Sequence, residues 1–333
     1  MDDLLEILEA ALLRRAALLE AAAAEGTDCY RLLHGAVEGA PGVAIDRYGP
    51  VLLAQTWRAP LEPGAIELLA GRASEAVGTE LIGIWNHRAR PIDFEAWHPV
   101  GASLDGAPLV GHELGLAFDV SPRHRGQDPL LFLDLRVLRR WLRRRVQDRS
   151  VLNLFAYTCG IGVVAAAGGA SRVLNVDFAR SALAVGRANA ERNGVVEAQQ
   201  FLRQDCFPVL RQLAGLPFGR RGRSARFVRL QPERFDVVVL DPPRLSKGRF
   251  GAVDLVADYA SLFKPAVLCA AEGGGVVATN NVASVQLEDW LQQLRRCAAK
   301  AGRPLVSVEV LRPEADFPSP DDRPPLKIAW CRV

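Results

Sequence analysis

Four polar residues in the second half of the chain each follow a short apolar run. They are Asp177, Asp205, Asp241 and Asn280. Carboxylates accept hydrogen bonds from ribose hydroxyls or an adenine amino group, and amides both donate and accept. Each aspartate taken singly could instead cap a helix. Because four successive runs end in residues that bind ligands, the pattern favours a shared ligand site over four unrelated caps.

A glycine-rich segment, Asn153-Leu-Phe-Ala-Tyr-Thr-Cys-Gly-Ile-Gly162, leaves another apolar run and opens a helical pattern. Glycine lets a backbone approach a ligand where a side chain would block it. Gly160-x-Gly162-x-x-Ala165 also satisfies a relaxed dinucleotide fingerprint, and tight packing is a further explanation for the glycines. Asp177 suits the ribose of either NAD or S-adenosylmethionine (SAM), so it does not distinguish the two.

The segment Asp241-Pro-Pro-Arg244 separates these possibilities. Two prolines fix the backbone and remove two N–H donors, which leaves carbonyl groups to face a planar substrate. A dinucleotide-dependent enzyme has no evident use for such a segment.

The elements that position these residues form an α/β pattern. Apolar runs of four to six residues, beginning near Val151, alternate with helical segments, which is typical of buried parallel strands. The sequence predicts a doubly wound, mostly parallel, Rossmann-like seven-stranded sheet after a small α+β domain. The predicted divisions are an N-terminal helix at 1–30, the small domain at 31–120 and the sheet domain at 121–333.

Composition excludes several classes of protein. Hydrophobic residues make up 49% of the 333-residue chain, and the formal net charge is only +3. The six cysteines are scattered, without spacing for a disulfide framework or a zinc site, so no metal is expected. The sequence lacks a basic secretory start and an apolar run of membrane-spanning length. These features predict a cytoplasmic protein that does not contact a membrane.

The order of five motifs resembles the bacterial large-subunit ribosomal RNA methyltransferases. The motifs are FLDLR at 132–136, NLFAYTCGIG at 153–162, NVD at 175–177, DPPR at 241–244 and TNN at 279–281. The resemblance spans about residues 110–333, and 38–49 is similar to the small domain preceding the catalytic domain in the cytosine-C5 branch. It implies a class I methyltransferase fold, SAM as cofactor, and cytosine C5 or guanine N7 as the methylated atom.

By this resemblance, one set of residues would line the SAM pocket, with Asp134 and Arg136 near the methionine end. The set is Asp134, Arg136, Phe155, Tyr157, Thr158, Gly160, Gly162, Asp177, Asp205 and Cys206. An arginine and carboxylates complement the charged groups of SAM. A surface ion pair is the structural alternative for Asp134 and Arg136.

The implied catalytic residues are Asp241, Pro242, Pro243, Asn280 and Asn281. Cytosine C5 is a poor nucleophile, and its methylation requires a cysteine thiolate to add to C6. The cytosine-C5 relatives carry that cysteine after the fifth strand, where this chain has asparagines. Guanine N7 needs no covalent activation, and its enzymes in this family carry Ser-Asn-Asn at this point. The sequence therefore favours guanine N7, with a strand-end cap as the structural alternative for the asparagines.

RNA is the expected partner, and five arginines are candidates to contact it: Arg220, Arg221, Arg223, Arg226 and Arg244. Arginine stacks on bases and binds phosphates, although the cluster at 219–229 could equally be a solvated loop. The alternatives left open are a cytosine-C5 enzyme, a methyltransferase of a small molecule or a protein, and a non-catalytic RNA-binding assembly factor.

Overall fold

The chain forms two compact units in the computed structural model. The model describes residues 2–89, 93–97, 109–121, 129–217, 228–248, 251–254, 256, 259–321 and 323–333. The first unit comprises Met1–Arg136 together with Pro313–Asp322, and the second comprises Val137–Arg312 with Arg323–Val333. No helix within these described ranges is long and apolar enough to cross a membrane.

The first unit is a mixed sheet with helices packed against it. Its helices are α1 (Asp2–Arg14), α2 (Ala16–Ala24), α3 (Gly35–Glu38) and α4 (Ala65–Val77). Its strands are β1 (Cys29–His34), β2 (Val43–Tyr48), β3 (Val51–Thr56), β4 (Ile82–His87), β5 (Asp93–Trp97), β6 (Leu109–Glu113) and β7 (Leu116–Val120). Strands β1 to β5 form one sheet in chain order, and β6 and β7 form a separate hairpin.

Strands β3 and β4 are the parallel pair of the five-stranded sheet, and helix α4 connects them. Buried leucine and isoleucine side chains of α1, α4 and the strands form the core of this unit. The sequence predicts one helix in the N-terminal segment 1–30, but the structure has two. The break falls at Arg15, whose buried guanidinium donates to both carboxylate oxygens of Glu38 and to the Arg31 carbonyl.

A strap of ten residues, Pro313–Asp322, belongs to the first unit although it lies far along the chain. Arg136 anchors it, because its guanidinium donates to Glu314 at 2.7 Å, to Asp316 at 2.7 Å and to the Cys29 carbonyl at 2.8 Å. Burial lowers the pKa of Arg136, but Asp316 and Glu314 outweigh it and the pKa rises. Both Arg136 and Asp316 are almost fully buried, so the pair replaces hydration with charge-assisted hydrogen bonds.

The second unit contains the doubly wound sheet. Its helices are α5 (Arg136–Arg143), α6 (Gly160–Ala167), α7 (Arg180–Arg192), α8 (Cys206–Leu213), α9 (Ala260–Leu268) and α10 (Leu287–Lys300). Its strands are β8 (Ser150–Leu154), β9 (Arg172–Asp177), β10 (Gln199–Arg203), β11 (Phe235–Leu240), β12 (Leu245–Gly248), β13 (Gly251–Asp254), β14 (Ala270–Asn280), β15 (Ser307–Leu311) and β16 (Lys327–Arg332).

Seven of these strands form one sheet in the order β10-β9-β8-β11-β14-β16-β15. The first five are parallel, and β16 pairs antiparallel with both β14 and β15. The apolar runs are buried because helices cover both faces of a parallel sheet. The strand order reverses beside β8, and ligands bind at such a switch point, beyond the carboxyl ends of the strands. The predicted fold class is confirmed.

The division into units differs from the predicted one in three ways. The N-terminal helix is part of the first unit, since α1 packs against α4 and β1. The boundary lies after Arg136 rather than at residue 120, and the strap returns to the first unit. Domains predicted as continuous stretches of sequence cannot include the strap in the first unit, because Asp316 of the strap pairs with Arg136, 180 positions earlier.

Candidate active site

The turn after β8 has an unusual backbone. Phe155, Tyr157 and Cys159 all have positive φ, at 57°, 49° and 57°. This left-handed conformation is uncommon for residues with a side chain, and three alternate residues in it mark a strained segment. The turn is held by hydrogen bonds from the Ala156 N–H to the Val176 carbonyl and from the Cys159 N–H to the Ala156 carbonyl.

Asp177, the last residue of β9, holds the same turn from the neighbouring strand. Its Oδ2 accepts from the Tyr157 N–H at 2.9 Å, and its Oδ1 accepts from the Ala179 N–H at 2.8 Å. Each carboxylate oxygen can accept a second hydrogen bond. The side chain is therefore fixed in place and still able to receive a pair of hydroxyl groups.

Cys206 ties the turn to a third strand end. Its sulfur accepts from the Phe155 N–H at 3.2 Å and donates to the Val176 carbonyl at 3.5 Å. The side chain is buried, and burial raises the pKa of the thiol well above its ordinary value. Cys206 thus acts as a neutral thiol that supports the backbone beneath the predicted cofactor site.

The two glycines of the turn have different roles. A Cβ atom at Gly162 would lie 2.1 Å from the side-chain oxygen of Asn175, so this glycine makes room for a buried amide. Asn175 also accepts from the Asn153 amide at 2.9 Å and donates to Gln199 at 3.0 Å. Tight packing, the structural alternative, therefore explains Gly162. Gly160 is half-buried at the first position of α6.

Asp205 caps α8, because its Oδ1 accepts from the Phe207 N–H at 2.9 Å. Burial raises the pKa of this carboxyl, and the Phe207 N–H opposes the change. The side chain remains partly exposed. The structural role and the predicted ligand role can therefore belong to the same residue.

Asp241 follows β11, and Thr279 orients it from the neighbouring strand. The register pairs Leu240 with Ala278, which places Thr279 beside Asp241, and the Thr279 hydroxyl donates to Asp241 Oδ1. The Tyr259 hydroxyl in turn donates to the Thr279 carbonyl at 2.8 Å. Tyr259 is fully buried and packs edge-on against Trp290, with ring centroids 5.8 Å apart. The carboxylate thus has a rigid support.

The three residues that follow Asp241 differ in exposure. Pro242 is buried, whereas Pro243 and Arg244 are exposed.

Asn280, the last residue of β14, and Asn281, which follows it, differ in exposure. Asn280 is fully buried, and its Oδ1 accepts from the Val282 N–H at 3.0 Å, which is a strand-end cap. Its Nδ2 is buried without a hydrogen-bond partner among the described residues. Asn281 is exposed. Lys327, opposite Asn280 on β16, donates to the Val282 carbonyl at 2.9 Å and fixes the same turn.

Two predictions from the FLDLR motif have different outcomes. Arg136 is wrong as a cofactor ligand, since the strap carboxylates and the Cys29 carbonyl occupy its buried guanidinium. The structural alternative, a surface ion pair of Asp134 with Arg136, does not describe Arg136 either, because its guanidinium is buried and pairs with Glu314 and Asp316. Asp134 lies half-buried in the 3₁₀ turn Leu133–Leu135 of the first unit, and its role remains a prediction. Arg220, Arg221, Arg223 and Arg226 lie outside the described residues.

All six cysteines are buried. Burial raises the pKa of the Cys269 and Cys331 thiols to about 12. Burial, with a contribution from Asp177, also raises the pKa of the Cys159 thiol. A thiolate is the nucleophilic form of cysteine, so these side chains are held in the unreactive state.

Three residues near the site were not identified from the sequence. Thr279 and Tyr259 support Asp241, and only the pairing of β11 with β14 brings them there. Phe178 directly follows Asp177, and 64% of its surface is exposed. A large apolar side chain open to solvent beside a predicted ribose site is suited to contact a nucleoside base. The sequence could have identified Phe178, because it directly follows the strand-end residue Asp177.

Comparisons with known proteins agree with this geometry. Residues 65–332 match the family described as S-adenosylmethionine-dependent methyltransferase. The ribosomal RNA large subunit methyltransferase I of Klebsiella pneumoniae is 31% identical over 319 residues, covering 93% of this chain and 75% of that protein. The Shigella flexneri enzyme of the same name is 30% identical, with 93% and 76% covered.

A solved structure shares the fold. The structure of SMU.776, described as a methyltransferase complexed with SAH, has a TM-score of 0.79 and 22% sequence identity. The similarity covers 99% of this chain and 80% of that one. The fold and strand-end site define a class I, Rossmann-like methyltransferase. The chain belongs to the S-adenosylmethionine-dependent methyltransferase family, and SAM is its cofactor.

The residues present fit that cofactor. SAM carries a ribose with two hydroxyls and an adenine amino group, and Asp177 and half-exposed Asp205 are hydrogen-bond acceptors at neighbouring strand ends. The strained turn follows the strand next to that of Asp177, and its Phe155, Tyr157 and Gly160 are half-buried.

Proposed function

We propose that this enzyme methylates a base of large-subunit ribosomal RNA, and that the methylated atom is guanine N7. The RNA class is supported by the names of the relatives that match over most of their length. The choice of atom depends on one observation in this chain. No cysteine is exposed, and the turn after β14 carries Asn280 and Asn281 where the cytosine-C5 enzymes carry their thiol.

SAM would be held by Asp177 at the ribose, by Asp205 and Phe178 at the adenine, and by the backbone of the turn after β8. When bound, it supplies an electrophilic methyl group on a sulfonium centre. Asp134, Phe155, Tyr157, Thr158 and Gly160 remain proposed members of this site. Gly162 and Cys206 support the turn from beneath.

The chemistry at guanine N7 requires little of the protein beyond positioning. The N7 lone pair is free, so no proton has to leave that atom before the methyl group arrives. The base becomes positively charged as the bond forms, and the oriented Asp241 carboxylate is placed to stabilise that charge. Asp241 could also accept from the N1–H and amino group of guanine, while exposed Asn281 offers an amide to the opposite side of the base.

The substrate would present the guanine unpaired. A base within a duplex has to be unstacked before it enters a strand-end pocket, which makes a loop or an unfolded region the favoured target.

The test is methylation of ribosomal RNA from a strain lacking the enzyme, followed by nuclease digestion and mass spectrometry of the nucleosides. We expect 7-methylguanosine, and we expect serine variants of Cys159 and Cys269 that fold to retain methyl transfer. Appearance of 5-methylcytidine, or complete loss of activity in one folded cysteine variant, would contradict the guanine N7 assignment. Methylation of protein but not RNA would contradict the substrate class.

A further inference from the structure

An exposed tryptophan lies in the first unit, where the proposed reaction has no use for it. Trp57 directly follows β3, and 44% of its surface is exposed. The other described tryptophan side chains, Trp85, Trp141, Trp290 and Trp330, are buried or half-buried. An indole face left partly in water is available to contact another molecule, and the groups around it indicate which kind.

Two arginines accompany this indole. Strands β3 and β4 are parallel, so their carboxyl ends lie together, and the register pairing Thr56 with His87 places Arg88 beside Trp57. The Arg88 guanidinium lies 5.9 Å from the centre of the Trp57 ring and donates to Gln55 at 2.8 Å. Arg58 is exposed beside Trp57.

The backbone under these side chains is rigid. The Trp57 N–H donates to the Gly42 carbonyl at 2.9 Å, and the Arg88 N–H donates to the Thr56 carbonyl at 2.7 Å. The Thr56 hydroxyl oxygen accepts from the Trp85 indole N–H at 2.9 Å and lies 2.8 Å from His87 Nδ1. Gly42, at φ 91°, leaves room for the Arg58 stem, because a Cβ there would lie 2.7 Å from Arg58 Cγ. The indole is therefore presented by a fixed support.

The charge of this surface favours an anionic partner. Residues 55–60 and 86–89 contain two arginines and no acidic residue. The neighbouring strand β5 contributes one acidic residue, Asp93, which the register places opposite His87. An aromatic face with neighbouring guanidinium groups suits an unpaired nucleobase with its flanking phosphates, since every base can stack on an indole.

We propose that Trp57, Arg58 and Arg88 form a stacking platform for single-stranded RNA, separate from the methyl-transfer site. This inference rests on the proposed function, because it gives the RNA substrate a second contact on the first unit. Trp57 would stack on an unpaired base, and the arginines would pair with phosphates on either side of it.

The platform is tested by fluorescence anisotropy of the full chain with a labelled, unstructured oligoribonucleotide of about 12 nucleotides, a length within the range of single-strand sites. We expect Trp57→Ala to bind about tenfold more weakly, and Trp57→Phe, which keeps an aromatic ring, to bind within about threefold of the wild type. Leu68→Ala removes another exposed apolar side chain of the same unit and should change nothing. Arg58→Ala should lower the salt dependence of binding by about one phosphate contact.

Each outcome decides the matter. Equal affinity of the wild type and Trp57→Ala, equal loss in Leu68→Ala, or absence of RNA binding by the wild type would overturn the platform. Circular dichroism and binding of S-adenosylhomocysteine check that the variants are folded. If the oligonucleotide binds through Trp57 but ribosomal RNA is never methylated, the platform stands and the proposed function fails. If Trp57→Ala methylates ribosomal RNA with an unchanged KM, the proposed function stands and the platform fails.

Discussion

The two edges of the seven-stranded sheet differ in the residues that flank its strands. The carboxyl edge, where the parallel strands end, has Asp177, Asp205 and Asp241. The amino edge, where they begin, has arginines before or at the start of three strands and at the end of antiparallel β16: Arg149, Arg172, Arg234 and Arg332. Helices of a doubly wound fold run opposite to the strands, so their N-termini lie at the carboxyl edge and their C-termini at the amino edge. Carboxylates stabilise the first kind of end and cations the second.

Charge alone therefore does not identify the site, because both edges obey the same electrostatic rule. The carboxyl edge differs in carrying backbone strain, at left-handed Phe155, Tyr157 and Cys159. A buried side-chain nitrogen without a hydrogen-bond partner among the described residues occurs at both edges, Nδ2 of Asn280 at the first and Nε of Arg172 at the second. At the amino edge the left-handed residue is Asp148, a type that adopts this conformation more readily. Asp236 at that edge is satisfied by the Ser150 N–H and hydroxyl.

The largest expected effect comes from Asp177→Ala at the carboxyl edge. It removes the acceptor for the ribose and for the Tyr157 and Ala179 N–H groups, so S-adenosylhomocysteine should bind roughly 100-fold more weakly. Isothermal titration calorimetry measures this. Asp236→Ala at the amino edge is the matched control and should leave the affinity unchanged. Equal losses in the two variants would mean that both act through stability, and the contrast between the edges would fail.

Gly162→Ala tests whether packing alone requires this glycine. The new Cβ would meet the Asn175 oxygen, so we expect the free energy of unfolding to fall by roughly 2 kcal/mol. Urea denaturation of Gly162→Ala, Asn175→Ala and the double variant should give a smaller loss than the sum of the two. Gly71→Ala, where a Cβ meets open space in α4, should be neutral or slightly stabilising. Additive losses would indicate that Asn175 is not what the glycine accommodates.

Thr279→Ala separates orientation of Asp241 from cofactor binding. Without the hydroxyl the carboxylate loses one fixed hydrogen bond, and kcat should fall about tenfold. Affinity for S-adenosylhomocysteine should stay at the wild-type value, and Thr279→Ser, which keeps the hydroxyl, should restore kcat. An unchanged kcat in Thr279→Ala would remove Thr279 from its proposed supporting role.

The smallest expected effect comes from Asp236→Asn at the amino edge. It concerns how the free energy of unfolding depends on pH. Burial raises the pKa of Asp236, but the Ser150 N–H and hydroxyl outweigh it, and the pKa lies below its ordinary value. A depressed carboxyl pKa adds stability above the unfolded value of about 4, which is lost as pH falls through the folded value. The unfolding free energy of the wild type should therefore exceed that of Asp236→Asn by less than about 1 kcal/mol at pH 7. The difference should disappear at acid pH.

Much of the second unit could be predicted because its signals are local. The apolar runs before Asp177 and Asp241 are buried parallel strands, and the predicted helix at 65–77 of the first unit coincides with α4. The strand-end residues follow from where those runs stop. A side chain such as Asp205 or Asn280 could serve as cap or ligand, and both structural alternatives proved to be present in the structure.

The errors arose where a partner is distant in the sequence. Nothing local indicates that Arg136 pairs with Glu314 and Asp316, or that Gly162 of α6 faces Asn175 of β9. The break at Arg15, whose guanidinium contacts Glu38, has no local signal either, because the helical pattern continues through it. Thr279 belongs to the TNN motif, but only the pairing of β11 with β14 brings it to Asp241.

The strap at Pro313–Asp322 has a consequence for synthesis of the protein. The ribosome makes the rest of the first unit about 180 residues before the strap, an interval of roughly 10 to 35 s at ordinary elongation rates. Throughout that time Arg136 lacks the carboxylates that neutralise it, so the nascent first unit cannot reach its final form. The second unit also waits, for β16. A chain that terminates before the strap would leave both units unfinished, so synthesis of residues 313–333 is the step that completes both of them.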